Sequence, residues 1–146
     1  MAGIGRIPPE PRFRLGPVST EGTTVRASAA LTTAFVDGTD LDMTGFNKVA
    51  IANTFTTHAS VAGGFEMKVE WSDDDTTYWY EPELKVSGVY ELYQQRIYAL
   101  KGAAANTAYY GIFLLDVLAR YMRCSFKSDQ KGNYATLAAE AWGVRG

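Results

Sequence analysis

A chain of 146 residues, 47% apolar and 13% aromatic, is long enough for one folded domain with a core of its own. Fourteen basic against sixteen acidic side chains give a net charge of −2, which argues against a general nucleic-acid binder. The single cysteine, Cys124, rules out an intrachain disulfide framework and a cysteine-based zinc site. No apolar run approaches the ~20 residues of a membrane span. Residues 1–5 lack the basic start of a signal peptide, so the expectation is a soluble protein made in a cytoplasm.

Residues 1–22 differ from the rest. Four of the five prolines (Pro8, Pro9, Pro11, Pro17) fall here, with Gly3, Gly5, Gly16 and Gly22. Proline fixes φ and lacks a donor, so this segment is predicted to be an extended, polyproline-like arm without sheet pairing. Arg6, Arg12 and Arg14 make it locally basic, and Ile4, Ile7, Phe13, Leu15 and Val18 give it apolar docking points. The candidate partner-binding set is therefore Ile4, Arg6, Ile7, Arg12, Phe13, Arg14 and Leu15. Residues 23–146 form the predicted β-domain.

From Thr23 to Phe35 a weak alternation built on Val25, Leu31 and threonines suggests a strand, and Asp37-Gly38 a turn. Leu41–Phe46 reads as a tight turn before a clear strand over 47–56, with Val49, Ile51 and Phe55 on one side. Gly63-Gly64 opens the strongest element. There Phe65, Met67, Val69 and Trp71 alternate with Glu66, Lys68, Glu70 and Ser72, the period of a half-buried strand. Asp73, Asp74 and Asp75 make an acidic turn, Tyr78-Trp79-Tyr80 the return strand, and Pro82 its end. A second hairpin-like unit is expected over 111–142. Residues 83–101 fit a helical stripe through Tyr90, Tyr93, Ile97 and Leu100, but the tyrosines and the all-β context favour strand. Ala108–Val117 is a near-continuous apolar run, expected for a strand buried on both faces or at an interface. Met122, Cys124 and Phe126 face inward in the next strand, and 128–133 reads as a polar hairpin loop before a last strand over 134–142. The predicted core is Val49, Ile51, Met67, Val69, Trp71, Met122, Cys124 and Phe126, in an all-β antiparallel sandwich or jelly roll.

Few residues offer chemistry. His58 is the only histidine, and no GxSxG elbow accompanies it. Asp73–Asp75 could hold Ca²⁺, but the calcium-loop spacing and a distal glutamate are lacking, and an acidic turn is the simpler reading. Trp71, Tyr78, Trp79 and Tyr80 could stack on a sugar ring, or divide between core and interface. Cys124 reads as a small buried hydrophobe. The expectation is no catalytic site, no cofactor and no metal.

Three stretches carry a resemblance: LDMTGFNKVAIANTF (Leu41–Phe55), FEMKVEWSDDDTTYWYE (Phe65–Glu81) and LARYMRCSFKSDQKGNY (Leu118–Tyr134). Together they resemble small β-sandwich structural proteins of tailed bacteriophages, and the last two also resemble discoidin-like sandwiches. The resemblance implies a non-enzymatic virion protein of the capsid decoration (cement) type on the outer surface of the head. Its partners would be the major capsid protein and neighbouring copies of itself, with a homotrimer favoured and neither nucleic acid nor membrane involved. A carbohydrate-binding module, or a neck or tail accessory protein, is the alternative.

Overall fold

The computed structural model describes residues 13–14, 22–88 and 90–145; for Phe13, Arg14, Val86, Ser87 and Tyr90 it describes the backbone alone. Among the described residues there is no helix. The strands, in chain order, are β1 (Phe13–Arg14), β2 (Thr23–Ala30), β3 (Val36–Asp37), β4 (Leu41–Asp42), β5 (Lys48–Thr56), β6 (Gly64–Ser72), β7 (Trp79–Tyr80), β8 (Pro82–Ser87), β9 (Tyr90–Gln95), β10 (Ile97–Lys101), β11 (Ala108–Asp116), β12 (Tyr121–Ser128) and β13 (Thr136–Val144).

Two antiparallel sheets face each other as a β-sandwich. One runs β11-β5-β13, with β2 and β1 sharing the far side of β13; the other runs β10-β6-β12, with β3 and β4 beyond β12 and β7 beside β6. The inward side chains interdigitate as in other sandwiches. Val49, Ile51, Met67, Val69, Trp71, Met122, Cys124 and Phe126 are all buried, as their alternation predicts, and Phe65, Leu137, Leu31 and Met43 complete the core. Phe55 stands edge-on to Phe65 at 5.3 Å between ring centroids, and Phe65 lies 6.2 Å from Phe126, a chain of aromatic contacts across the layers. Asn53 occupies an inward position of β5 among apolar neighbours; its amide donates to the Ile51 carbonyl at 3.3 Å.

The structure corrects four expectations. Phe13–Arg14 does pair, with Gly143 and Trp142 of β13, although the arm was expected to avoid sheet pairing. Proline forbids donation only at its own nitrogen, and the two residues between Pro11 and Pro17 that pair both carry an N–H. The unit at 111–142 is not a hairpin: β12 pairs with β6 and β13 with β5, so the loop after Ser128 crosses from one sheet to the other. Asp37-Gly38 is not a turn, because Val36–Asp37 pairs with Phe126–Ser125 and the Gly38 N–H donates to the Cys124 carbonyl. Pro82 opens β8 rather than ending a strand, a position where its missing donor costs no ladder bond.

Within 83–101 the described residues form strands, as favoured, joined at Gly88 and Arg96. β8 and β9 form a separate two-stranded ribbon from Pro82↔Gln95 to Ser87↔Tyr90. The Arg96 N–H, donating to the Glu81 carbonyl at 3.0 Å, closes its base.

Candidate interaction surface

Of the predicted arm set, Ile4, Arg6, Ile7, Arg12 and Leu15 lie outside the described residues. Phe13 and Arg14 are placed by backbone only, along the C-terminal end of β13.

The former candidates for chemistry each have a structural task. His58 accepts a hydrogen bond on Nδ1 from the Ser60 N–H at 3.0 Å, and its carbonyl accepts from the Asn106 N–H at 2.9 Å. It thus staples the 57–63 loop to the β10–β11 loop. In the acidic turn, Asp74 Oδ1 accepts from the Thr76 and Thr77 N–H groups, both at 2.9 Å, and from the Ser72 hydroxyl at 2.8 Å. Those donors hold the Asp74 carboxyl below the usual carboxylate range. Asp75 takes φ 59° to close the turn, and its carboxylate accepts from the Tyr78 hydroxyl. Among the described residues, no group of three or more His, Cys, Asp or Glu side chains is placed to hold a metal.

Tyr78 belongs to a polar cluster that the sequence did not reveal. The Arg123 guanidinium lies 3.9 Å from the centre of its ring and donates to both oxygens of Asp40, at 3.0 and 3.4 Å. Asp37 is 4.0 Å from the same guanidinium and accepts from the Ser125 hydroxyl at 2.6 Å. Burial, and then the hydrogen bond to Asp75, push the Tyr78 phenol above its ordinary value. Burial alone would raise Asp40, but the Arg123 and Asp75 contacts outweigh it and leave its carboxyl lowered. The only advance signal was Arg123 on the outward face of a strand whose facing loop carries Asp37 and Asp40. This cluster locks the β3–β4 connection and the acidic turn onto β12.

The aromatic residues do not make one platform. Trp71 is core, and one face of Tyr78 is covered by Arg123. Trp79 and Tyr80 are exposed but adjacent on β7, so they point to opposite faces of the sheet. A shallow hollow is lined by Thr33, Lys127, Ser128, Asp129, Gln130 and Lys131. Three of its side chains are committed to the fold: Lys127 pairs with Glu66 at 3.5 Å, Asp129 accepts from the Gly64 N–H, and Gln130 donates to the Ala62 carbonyl.

What stands out instead is apolar surface in two places. On β11, Tyr110, Ile112 and Leu114 are 80%, 61% and 60% exposed, while Tyr109, Phe113 and Leu115 pack against the core. The apolar run, expected to be buried on both faces or to lie at an interface, is buried on one face, and nothing described lies over the other. Its outward neighbours on β5, in register, are Thr54, Ala52 and Ala50, too small to shield it. On the projecting ribbon, Leu84, Leu92 and Tyr93 are also exposed. Grouped exposed apolar side chains are common on surfaces that meet another molecule. In comparison with known proteins, the chain matches no protein-family model and no curated protein.

Proposed function

We propose that this chain is a non-enzymatic structural protein of a tailed-phage particle, of the capsid decoration type, which binds the outer surface of the assembled head. The observation that carries the reading is the grouping of exposed apolar side chains on an antiparallel β-sandwich, at β11 and on the β8–β9 ribbon. Such a molecule has broad, rigid faces for protein contact. The proline-rich, arginine-bearing N-terminal sequence supports the same reading, since proline restricts the free chain and lowers the entropy lost on docking. A protein that binds only the assembled lattice stabilises it by mass action, in proportion to RT ln(1+[L]/Kd) per site.

The test is co-sedimentation of the purified protein with preassembled shells and with unassembled major capsid protein. Saturable binding to shells alone, with a raised shell melting temperature, is expected. Binding to neither refutes the reading. Binding at a few copies per particle, rather than in proportion to the lattice, would move it to the neck or tail.

A further inference from the structure

We propose that β11 is the contact through which two copies of this chain join, edge to edge and antiparallel, about a two-fold axis at Ile112. Four observations lead there, and none depends on the phage reading.

First, β11 is an outermost strand. Among the described residues it pairs with β5 alone, in an unbroken register from Ala108↔Thr56 to Asp116↔Lys48. Proteins normally blunt such edges with proline, lysine, a bulge or shortness. β11 is nine residues long and contains no proline and no lysine. Its single charge, Asp116, sits at the end and is paired with Lys48 at 2.5 Å.

Second, the direction of the free backbone groups is fixed. In an antiparallel ladder, residues alternate between bonding the partner and pointing away from it. Thr57 N–H donates to the Thr107 carbonyl, and Val117 N–H to the Asn47 carbonyl, both continuing the β11–β5 register. Odd-numbered residues therefore bond to β5. Ala108, Tyr110, Ile112, Leu114 and Asp116 turn their N–H and C=O groups to the open edge. They are also the residues whose side chains lie on the outer face.

Third, the strand is self-complementary. A two-fold at Ile112 sets Ile112 opposite its own copy, Tyr110 opposite Leu114 twice, and Ala108 opposite Asp116 twice. Even residues meet even residues, so donors and acceptors match along the whole length, giving about ten backbone hydrogen bonds. The facing side chains form aromatic–aliphatic and aliphatic cross-strand pairs. The two Asp116 carboxylates lie at opposite ends, about 27 Å apart at ~3.4 Å per residue, and do not repel. Centring on Leu114 instead would set Asp116 against Ile112, and centring on Tyr110 would leave Leu114 and Asp116 beyond the partner strand.

Fourth, the edge of the second sheet lies beside that of the first. Tyr98 of β10 packs edge-on to Phe113 of β11 at 5.5 Å, so β10 ends the other sheet above β11, with Ile97 partly exposed beside it. A second copy approaching β11 meets both edges. One strand edge per copy is a small contact beside a standard interface of ~800 Å² per partner, so association in the micromolar range or weaker is expected.

The experiment is sedimentation velocity of the full chain from micromolar to submillimolar concentration, with two variants. Wild type should pass reversibly from monomer to dimer. Ile112→Pro removes an N–H that points away from β5, so the fold and melting temperature should hold while dimerisation weakens at least tenfold. Ile112→Cys should form an intermolecular disulfide under mild oxidation, because residues at a hydrogen-bonded antiparallel pair stand ~5.5 Å apart, within disulfide range. Tyr110→Cys alone should not, but should cross-link when mixed with Leu114→Cys. A chain that is monomeric throughout, a trimer, or a dimer that survives Ile112→Pro overturns the proposal. So does a dimer lost on deleting residues 2–12 without Ile112→Cys cross-linking, which would make the N-terminal segment the occupant of this edge.

Discussion

Arg123 shows how much a single outward-facing side chain can organise. It stacks on Tyr78, grips Asp40 and neighbours Asp37, joining three segments distant in sequence. The carboxylates around it and in the two Asx-type turns give the protein a specific acid response. Asp40, Asp42 and Asp74 all lie below the ordinary 3.8: Asp42 chiefly through the Thr44 hydroxyl and N–H, Asp74 through the Thr77 and Thr76 N–H groups. Carboxyls lowered by folding contribute stability that is complete above the unfolded value and lost as pH falls through the folded one. Melting temperature should therefore be flat from neutrality to about pH 5 and drop below about pH 4. The variant Asp42→Asn should melt lower at neutral pH and show a shallower drop; an unchanged acid limb would exclude Asp42 from it. Cys124 behaves differently. Complete burial pushes its thiol up to about 12, so no thiolate forms at neutral pH. A thiol-specific reagent should leave the native protein unmodified and label one group per chain after unfolding in guanidinium; rapid labelling of the native state would show the core to be open there.

At the scale of elements, β6 was the most readable stretch because charged residues alternate with large apolar ones, and only a half-buried strand satisfies both. The same period of two gives a strand's faces but not its neighbour. That is why β12 and β13, adjacent in sequence and joined by a turn-like loop, read as a hairpin yet belong to opposite sheets. The 83–101 region was ambiguous for a related reason: Leu92 and Tyr93 are both exposed, so the ribbon has no buried face to impose alternation. The Arg123–Asp40 cluster was illegible because its members meet only through sheet topology. Glycine positions test the topology directly. A Cβ at Gly64 would collide with the Leu100 carbonyl oxygen on the paired strand β10, and backbone cannot step aside. Gly64→Ala should cost ~1–3 kcal/mol in chemical denaturation. Gly111→Ala meets a terminal methyl of Leu100, which can rotate away, and should cost clearly less. Equal losses would mean that β10 does not lie against Gly64.

For the whole molecule, the N-terminal segment and the body make separable contributions. Phe13–Arg14 pairs with Gly143 and Trp142, beyond the Thr136–Ala141 stretch of β13 that β2 covers on the same side. Removing residues 2–12 leaves the Phe13–Arg14 pairing with β13 in place. Removing residues 2–16 also strips the two-residue ladder from β13, a loss of at most a few backbone hydrogen bonds at ~1 kcal/mol each. If residues 2–12 serve a partner, the shorter deletion should leave the melting temperature unchanged and weaken shell binding at least tenfold. The longer deletion should bind no worse and melt slightly lower. Calorimetry and co-sedimentation on the two truncations separate these effects. Undiminished shell binding by the shorter truncation would remove the N-terminal segment from the proposed function and leave the exposed apolar faces of β11 and the β8–β9 ribbon as the binding surface. A large fall in its melting temperature would instead make residues 2–12 part of the folded body.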